Sequence, residues 1–201
     1  NGKDGYEPSR RVSPPPDVAL GDRNIVQLVD MTADGMVDIL ETYSGSDQNY
    51  KLYVGKGDGN FEAPVAMANS PSRGTDIADT KLMDFNGDGF LDVIVGPSCP
   101  YQISINNGQN GFEAKRPLSH CPGAAISYEN LVQWADFNGD GLLDMLKSSS
   151  NSYYVSYNDG SGDLLAPVLM RNSPTLGNDN DVKLVDMNGD GLPDRVYRGH
   201  E

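Results

Sequence analysis

Four nine-residue segments of the sequence place oxygen-bearing side chains at positions 1, 3, 5 and 9, which is the pattern of a site for a hard cation. Each segment has Asp at positions 1, 5 and 9, Asn or Thr at position 3, and Gly at position 6. Alternate residues of a tight loop can point inwards, so four side chains and the carbonyl of position 7 offer oxygen to one ion, while the glycine permits the sharp turn. Calcium prefers about six to eight oxygen ligands, and the sequence therefore predicts up to four Ca²⁺ ions. The candidate ligands of these Asp loops are Asp30, Thr32, Asp34, Met36 and Asp38 in loop 1; Asp84, Asn86, Asp88, Phe90 and Asp92 in loop 2; Asp136, Asn138, Asp140, Leu142 and Asp144 in loop 3; and Asp186, Asn188, Asp190, Leu192 and Asp194 in loop 4.

Two other interpretations of the Asp loops are weaker. An EF-hand would carry a bidentate Glu at position 12 between two helices, but position 12 is Val95, Lys147 and Tyr197 in three of the loops. Asx-rich turns without a metal would not need three carboxylates in each loop, and these would repel one another. Thr32 is the one departure from Asn at position 3, so the first site is expected to be weaker.

The Asp loops recur about every 50 residues, which is in the size range of β-propeller blades. An apolar strand precedes each loop and another follows it, and both faces of these strands carry apolar residues, so burial on both sides is expected. A second, Gly-rich motif lies between the loops. Its copies align at an apolar position: Phe61, Phe112 and Leu164, with Tyr6 near the start of the chain.

One repeating unit therefore contains strand A, the Asp loop, strand B, strand C, the Gly-rich hairpin and strand D. This order predicts an all-β protein, a β-propeller of four-stranded antiparallel blades with the calcium loop between strands A and B. A parallel β-helix fits less well, because its coils are usually shorter than about 50 residues. The units are roughly 24–79, 80–130 and 131–181, with 182–201 and 1–23 as partial units. We expect a single propeller domain, either four-bladed and closed by its own termini or, the favoured alternative, an excerpt of a larger propeller.

The four D-x-[NT]-x-D-G-x-x-D loops, with GKGDGNFEAP-like segments between them, resemble the FG-GAP/VCBS repeat family, which includes the integrin α-subunit propeller. The resemblance runs from Tyr6 to Tyr197 and implies calcium in the loop between strands A and B, without implying catalysis or a particular ligand. Loops of the form DMNGDGLPDRVY also resemble propeller portions of toxin-complex and Rhs-type bacterial proteins. In those proteins such blades form part of a shell or a docking platform.

The charge balance excludes one large class of partner. The sequence has 29 Asp and Glu against 15 Lys and Arg, a formal net charge of −14, whereas nucleic acid binding needs clustered cations. No apolar run approaches the ~20 residues needed to span a membrane. Extracellular calcium modules bind at ~0.1–1 mM, so the loops predict an extracellular, secreted or cell-surface protein.

The loops at the end opposite the Asp loops differ most between units, and variable loops on a rigid scaffold usually carry binding function. A protein or glycan ligand is therefore expected on this opposite face, or else neighbouring domains of a larger chain. The candidate contact residues are Tyr43, Arg73, Tyr101, His120 and Tyr128.

The two cysteines, Cys99 and Cys121, fall on the opposite face at the ends of strands B and D of one unit. Those strands lie about 10 Å apart in a sheet, whereas a disulfide needs Cα atoms within about 7 Å. A disulfide is predicted, provided that the loops bend towards each other.

No nucleophile–base pair is recognisable, and the two histidines are His120 and His200. The sequence therefore predicts a non-enzymatic binding or adhesion module. Two alternatives stay open: a structural or docking segment of a large secreted toxin or surface protein, and the propeller of a polysaccharide lyase.

Overall fold

The computed structural model describes residues 8–9, 11–12, 26–42, 49–72, 78–128, 131–149, 152–172 and 182–197. Every regular element in these ranges is a β-strand, so the all-β class is confirmed. No helix of the described residues is long and apolar enough to cross a membrane. The expected hairpin around Tyr6, the candidate contact residues Tyr43 and Arg73, and His200 lie outside the described ranges.

Three units form four-stranded antiparallel sheets in which each strand pairs with the next along the chain. Unit 1 contains β1 Val26–Val29, β2 Asp38–Glu41, β3 Lys51–Tyr53 and β4 Val65–Ala66. Unit 2 contains β5 Thr80–Met83, β6 Asp92–Val95, β7 Gln102–Ser104 and β8 Arg116–Pro117. Unit 3 contains β9 Val132–Ala135, β10 Asp144–Ser149, β11 Ser152–Ser156 and β12 Val168–Met170.

Unit 4 is described as a two-stranded sheet of β13 Val182–Val185 and β14 Asp194–Tyr197. These are its strands A and B, and they enclose loop 4 as the other units enclose theirs. The A–B–C–D order of units 1 to 3 is that of a propeller blade. The described residues show such blades without showing a closed ring.

Strand B is buried in units 1 to 3. Its first two apolar residues are buried in units 1 to 3: Ile39 and Leu40, Val93 and Ile94, and Met145 and Leu146. Strand A is only half-buried, and Leu28 is 59 % exposed, so the expectation that strand A is buried on both sides is wrong. Strand A lies at the edge of each sheet, and strands A of units 2, 3 and 4 border a cavity of about 310 Å³ that is lined in part by Lys81, Gln133, Trp134 and Leu184.

The Gly-rich motif forms the same hairpin in three units. An antiparallel bridge joins the second residue after strand C to the aligned apolar residue, as Gly55 to Phe61, Asn106 to Phe112, and Asn158 to Leu164. We call Phe61, Phe112 and Leu164 the plug residues, because two of them fill the space between neighbouring units.

The plug residues of units 2 and 3 are buried against the unit before them. The ring of Phe112 packs edge-on against Tyr50 with the centroids 5.9 Å apart. The two plugs share hydrophobic clusters with equivalent residues of the preceding unit: Phe112 with Met31, Leu40, Tyr50, Leu52 and Met67, and Leu164 with Phe85, Ile94, Tyr101, Ile103 and Leu118.

The disulfide joins Cys99 to Cys121 with Cα atoms 5.9 Å apart. Cys99 lies in the turn after β6, and Cys121 lies in the loop after β8. The two loops therefore approach each other as the sequence prediction required, and the bond ties the B–C turn of unit 2 to its D–A loop.

Replacing a plug residue tests this packing. Phe112→Ala is expected to lower the free energy of unfolding by about 3–5 kcal/mol, because it removes a fully buried ring from between two units. Phe61→Ala is the matched control, because Phe61 is the half-buried plug of unit 1, and it should cost only about 1–2 kcal/mol. Urea denaturation followed by circular dichroism measures both, and equal losses in the two variants would contradict the role assigned to Phe112.

Candidate functional site

The carboxylates at positions 1 and 5 of each Asp loop accept hydrogen bonds from the loop backbone. At position 1, the Asp accepts the N–H of the position 6 glycine at 2.8, 3.0, 2.8 and 2.9 Å in loops 1 to 4. At position 5, the Asp accepts the N–H of position 7 at 2.8 or 2.9 Å in every loop. The position 6 glycines have φ between 81 and 91°, a conformation that residues with a Cβ rarely adopt.

The aspartate at position 9 is buried and joins the Asp loop to the hairpin of its own unit. One oxygen of Asp38, Asp92 and Asp144 accepts the N–H of position 2 at 2.9 Å. The other oxygen accepts, at 2.8 Å, the N–H of the second residue after strand C, which is Gly55, Asn106 or Asn158. Position 9 therefore fixes the loop against the hairpin within each sheet.

Two buried asparagines carry this link on to the preceding unit. The Asn106 side-chain amide donates to the carbonyl of Met31 in loop 1 at 3.1 Å, and also to the position 8 carbonyl of loop 2 at 3.3 Å. The Asn158 amide makes the equivalent contacts, with Phe85 of loop 2 at 2.6 Å and with position 8 of loop 3 at 3.3 Å. Neighbouring Asp loops are thus joined through one amide side chain.

Asn106 and Asn158 had no role in the sequence predictions, although the aligned hairpins contain the signal. Both asparagines occupy the same position before the plug residue, and unit 1 has Gly55 there. An added Cβ on Gly55 would collide with the carbonyl of Val37. The first described unit therefore lacks the side chain that reaches back to another loop.

Oxygen atoms from three predicted ligands gather in loop 1. The Thr32 hydroxyl lies 3.5 Å from one oxygen of Asp30 and 3.4 Å from one oxygen of Asp38. Positions 1, 3 and 9 are thereby brought together, whereas Asp34 turns to the N–H of Met36. In loops 2 to 4 the position 3 asparagine instead donates to the position 5 carboxylate, at 2.8 to 3.1 Å.

The pKa values of the carboxyls at the two ends of loop 3 shift in opposite directions, and position 9 of loop 2 behaves like position 9 of loop 3. Burial raises the pKa of Asp92 to about 6 against hydrogen bonds from the backbone, and the charge of Asp88 acts in the same direction as burial. Burial also raises the pKa of Asp144, with Asp140 and Asp136 adding like-charge repulsion. At position 1, slight burial opposes the charge on Asp136, but the N–H groups around it, led by Gly141, lower its pKa.

In the part of the chain that the structure describes, no three His, Cys, Asp or Glu side chains come together closely enough to hold a metal ion as they stand. The hydrogen bonds explain this arrangement, because each carboxylate is directed to a backbone N–H. Position 3 is Asn or Thr, so its oxygen would add to the His, Cys, Asp and Glu ligands and is not one of them. The predicted ligand sets stay predictions.

The side chain of position 7 packs over glycines of the hairpin and of the neighbouring loop. Phe90 covers Gly108, where an added Cβ would lie 2.8 Å from the ring. Leu142 covers Gly160 of its own hairpin and Gly87 of loop 2, where a Cβ would lie 3.4 and 2.6 Å away. The Asp loops and Gly-rich hairpins therefore lie at the same end of the sheets, as the strand order predicts.

The candidate contact residues of the opposite face have different environments. Tyr101 is fully buried, and its hydroxyl donates to the carbonyl of Ala124 at 2.8 Å, so its expected role as a partner contact is wrong. It stands at the start of strand C, where its ring joins the inter-unit core. His120 is half-buried with Nδ1 2.9 Å from the carbonyl of Leu164, and Tyr128 is 56 % exposed.

Two cavities occupy equivalent places between neighbouring units, beside the B–C turns and D–A loops. The first, of about 250 Å³, lies between units 1 and 2, and the second, of about 210 Å³, lies between units 2 and 3. Aligned residues line both: Pro71, Val95, Gln102, Ser104 and Lys115 in the first, and Pro122, Lys147, Tyr154, Ser156 and Pro167 in the second.

A family model described as an FG-GAP-like repeat matches the chain three times, over residues 30–95, 84–147 and 136–197. Each match begins at an Asp loop and ends in strand B of the following unit. No curated protein matches this chain.

Solved structures share the fold at low sequence identity. The Tc holotoxin pore of Photorhabdus luminescens aligns with a TM-score of 0.65 and 17 % identity, over 88 % of this chain and 8 % of that one. An Agrocybe aegerita lectin, described as recognising non-reducing terminal N-acetylglucosamine, aligns with a TM-score of 0.62 and 23 % identity, over 84 % of this chain and 44 % of that one. The chain thus spans less than half the length of either structure.

The asparagine bridge between loops can be tested by truncation. Asn158→Ala is expected to lower the free energy of unfolding by about 1–3 kcal/mol, because it leaves the buried carbonyls that the amide served without a donor. Gln109→Ala, which changes an exposed hairpin side chain, should stay within about 0.5 kcal/mol of the parent protein. Chemical denaturation measures the free energy of unfolding of both variants. An unchanged value for Asn158→Ala would show that the asparagine bridge does not stabilise the protein.

Proposed function

The chain belongs to the FG-GAP-like repeat family, and we propose that it is a calcium-stabilised, non-enzymatic propeller module that binds a protein or glycan partner on the face opposite the Asp loops. The observation that carries this proposal is the contrast between the two ends of the same sheets. At one end, loop oxygens accept hydrogen bonds from backbone N–H groups and from a side chain of the next unit. At the other end, equivalent cavities open between units.

The donor set of each Asp loop fits a hard cation. In loop 1, the Thr32 hydroxyl already brings one oxygen each of Asp30 and Asp38 within 3.5 Å of its own. In loop 3, neighbouring carboxylates repel the charge on Asp144, and a divalent cation would relieve that repulsion. The ligands would be the side chains of positions 1, 3, 5 and 9 with the carbonyl of position 7. Bound Ca²⁺ would supply positive charge that holds these oxygens together.

An extracellular location follows from the proposed calcium sites and from the disulfide. Modules of this kind bind calcium at ~0.1–1 mM, which is far above cytosolic levels. Disulfides persist in oxidising compartments, and Cys99 and Cys121 form one here. Both features support a secreted or cell-surface protein.

The non-enzymatic part of the proposal rests on how the ionisable groups are used. The loop aspartates accept hydrogen bonds from backbone N–H groups. His120 is directed to a backbone carbonyl of the following unit. These are the contacts of a scaffold, and none of them activates a nucleophile.

A glycan is one supported class of partner. The cavity between units 2 and 3 has an aromatic side chain, Tyr154, beside Lys147 and Ser156, and an apolar ring beside polar groups is typical of a sugar-binding site. The Agrocybe aegerita lectin, which has a similar fold, is described as recognising a terminal N-acetylglucosamine.

A second candidate function is a structural or docking segment of a large secreted toxin. The alignment with the Tc holotoxin pore covers 88 % of this chain but only 8 % of the toxin chain. Two apolar side chains of unit 4 are also exposed, Met187 at 67 % and Val196 at 40 %. Their equivalents in unit 1, Met31 and Leu40, are buried.

Calcium is expected to raise the melting temperature. At 10 mM Ca²⁺ and a Kd of ~0.1–1 mM, each site adds about 1.4–2.7 kcal/mol, so several sites together should raise Tm by about 10 °C or more. Differential scanning fluorimetry with calcium, with magnesium and after exhaustive chelation measures this. An unchanged Tm after chelation would contradict calcium stabilisation.

Two substitutions at position 3 test the first and the third calcium site independently. Thr32→Asn should strengthen the first site, and Asn138→Thr should weaken the third, because an amide oxygen replaces or is replaced by a hydroxyl at the same position. Isothermal calorimetry with Ca²⁺ measures both. If neither substitution changes the calcium affinity, the ions bind outside the Asp loops.

Partner binding is tested with glycan arrays and pull-downs from extracellular extracts, using the whole 201-residue chain. Ser98→Trp fills the mouth of the cavity between units 1 and 2 and should reduce binding by about tenfold or more. Ser161→Trp adds the same exposed ring to a Gly-rich hairpin and serves as the control. Loss of binding in the control alone would move the site to the Asp-loop end.

A further inference from the structure

The cavity between units 2 and 3 carries three polar groups on one face of the unit 3 sheet. Lys147 of β10 stands directly opposite Tyr154 of β11, and Met145 stands directly opposite Ser156. Directly opposed side chains lie on the same face of a sheet, and all four residues line the cavity of about 210 Å³. Met145 is 2 % exposed, so an ammonium, a phenol and a hydroxyl stand beside a buried apolar side chain.

The three polar side chains of this cavity are left without partners among the described residues. Lys147, Tyr154 and Ser156 make no side-chain hydrogen bond or ion pair there. Lys147 is half-buried, and a partly desolvated charge without a partner costs free energy. A ligand that brings a negative charge and hydrogen-bonding groups to this cavity therefore offsets that cost.

The described loops at this end of units 2 and 3 contain no acidic residue. Segments 97–102, 119–128 and 147–149 have no Asp or Glu, although the chain has 29 of them. Asp144, at position 9 of loop 3, lies three residues from Lys147 along β10. That is about 10 Å in a strand, or about one screening length at physiological salt. The cavity therefore favours an anion in spite of the net charge of −14.

Unit 1 has a buried carboxylate, Glu41, at the position that Lys147 takes in unit 3. Glu41 stands directly opposite Lys51, as Lys147 stands opposite Tyr154. The Lys51 Nζ lies 3.7 Å from one oxygen of Glu41, and the Tyr53 hydroxyl donates to the other oxygen at 3.3 Å. An ammonium and a phenol thus bind a carboxylate on this face of unit 1. Unit 3 has both kinds of donor and lacks the acid, so a carboxylate from a ligand completes the set.

The unit 2 wall of the cavity is fixed by a covalent bond. Cys121 and Pro122 line this wall, and the disulfide from Cys121 to Cys99 ties their loop to the B–C turn of unit 2. The N–H of Gly123 donates to Sγ of Cys99 at 3.1 Å, which holds the same loop. A wall that is already ordered adds little entropic cost to ligand binding.

The size and lining of the cavity favour a sugar residue. Its volume of about 210 Å³ lies below the ~300–1,000 Å³ of pockets for drug-sized molecules, so it accepts one ring of a larger ligand. Tyr154 offers an aromatic face and Ser156 a hydroxyl, which suit the apolar face and the hydroxyl groups of a pyranose. The positive charge of Lys147 selects a ring that carries a carboxylate.

We propose that the cavity between units 2 and 3 binds a carboxylate-bearing sugar residue of an acidic glycan. Lys147 pairs with the carboxylate, Ser156 hydrogen-bonds a ring hydroxyl, and Tyr154 packs against the ring. This binding mode rests on the proposed function, because it names the class of glycan that the face opposite the Asp loops takes. The two cavities of that face then differ, since Val95 and Gln102 take the places of Lys147 and Tyr154 between units 1 and 2.

Tetrasaccharides of glucuronate, of galacturonate and of mannuronate are the probes, and each is compared with its own methyl ester. Isothermal calorimetry measures their binding to the whole 201-residue chain at a fixed ionic strength and a fixed free calcium concentration. At least one of the acids should bind saturably. Its methyl ester keeps the ring and the hydroxyl groups but loses the charge, so it should bind about tenfold more weakly or worse.

Substitutions of two lysines locate the site. Lys147→Gln should lower the affinity for the acid about tenfold or more, because it removes the ammonium that pairs with the carboxylate. Lys147→Arg keeps the charge and should stay within about fivefold of the parent protein. Lys115→Gln removes an exposed lysine from the cavity between units 1 and 2, and as the matched control it should stay within about twofold. Matching circular dichroism spectra show that the variants are folded.

The assignment of a carboxylate is wrong if none of the acids binds up to about 10 mM, if acid and methyl ester bind equally, or if Lys147→Gln and Lys147→Arg lose equal affinity. Acid binding that Lys147→Gln leaves unchanged would place the sugar outside this cavity. A tetraglutamate peptide that binds through Lys147 as tightly as the sugar would assign the cavity to an acidic peptide instead. In each case, capture of a neutral glycan or a protein on the arrays and in the pull-downs would still support the proposed function, so the two failures are distinct.

Discussion

The buried carboxylate at position 9 of loops 1 to 3 is the contact on which the geometry of their units depends. It receives the N–H of position 2 from its own loop and the N–H after strand C from its own hairpin. A strand B that starts with this residue is therefore fixed to both turns at one end of its sheet. Burial alone disfavours the charged form, as the raised pKa of Asp92 shows. The fold offsets this cost with two N–H donors, and a bound cation would offset it further.

The same contact makes neighbouring units depend on one another. The residue that donates its N–H to Asp92 is Asn106, and the side chain of Asn106 reaches the Met31 carbonyl in loop 1. Loop 1, loop 2 and the hairpin of unit 2 are thus connected through buried polar groups, and the plug residue Phe112 fills the apolar space beside them. Polar and apolar contacts between units 1 and 2 thus come from one hairpin, and the hairpin of unit 3 makes the same pair of contacts to unit 2.

The repeat made most of the blade predictable, and the exceptions are instructive. The spacing of aspartates placed strands A and B, and the aligned Phe61, Phe112 and Leu164 placed the hairpins. Tyr101 was assigned to the partner face because it follows a variable turn, but its ring enters the core since strand C begins there. Leu28 was expected inside because it is apolar, yet strand A is an edge strand and Leu28 is 59 % exposed. Position in the sheet decided burial in both cases, and a single-sequence pattern does not contain that position.

The bridges between units have a direction, and this direction makes the two ends of the described array unlike each other. Each hairpin reaches back to the unit before it, through its plug residue and its asparagine. Unit 1 has Gly55 in place of the asparagine and its plug Phe61 packs beside its own Ile39 and Tyr53, so its contacts are satisfied largely from within. Among the described residues, unit 3 lines the cavity beside unit 4 with Phe137, Arg171 and Asn172, and Met187 of unit 4 is exposed. The donor side chains belong to the later unit in both described bridges, so each of these two interfaces is closed by the hairpin of the unit that follows.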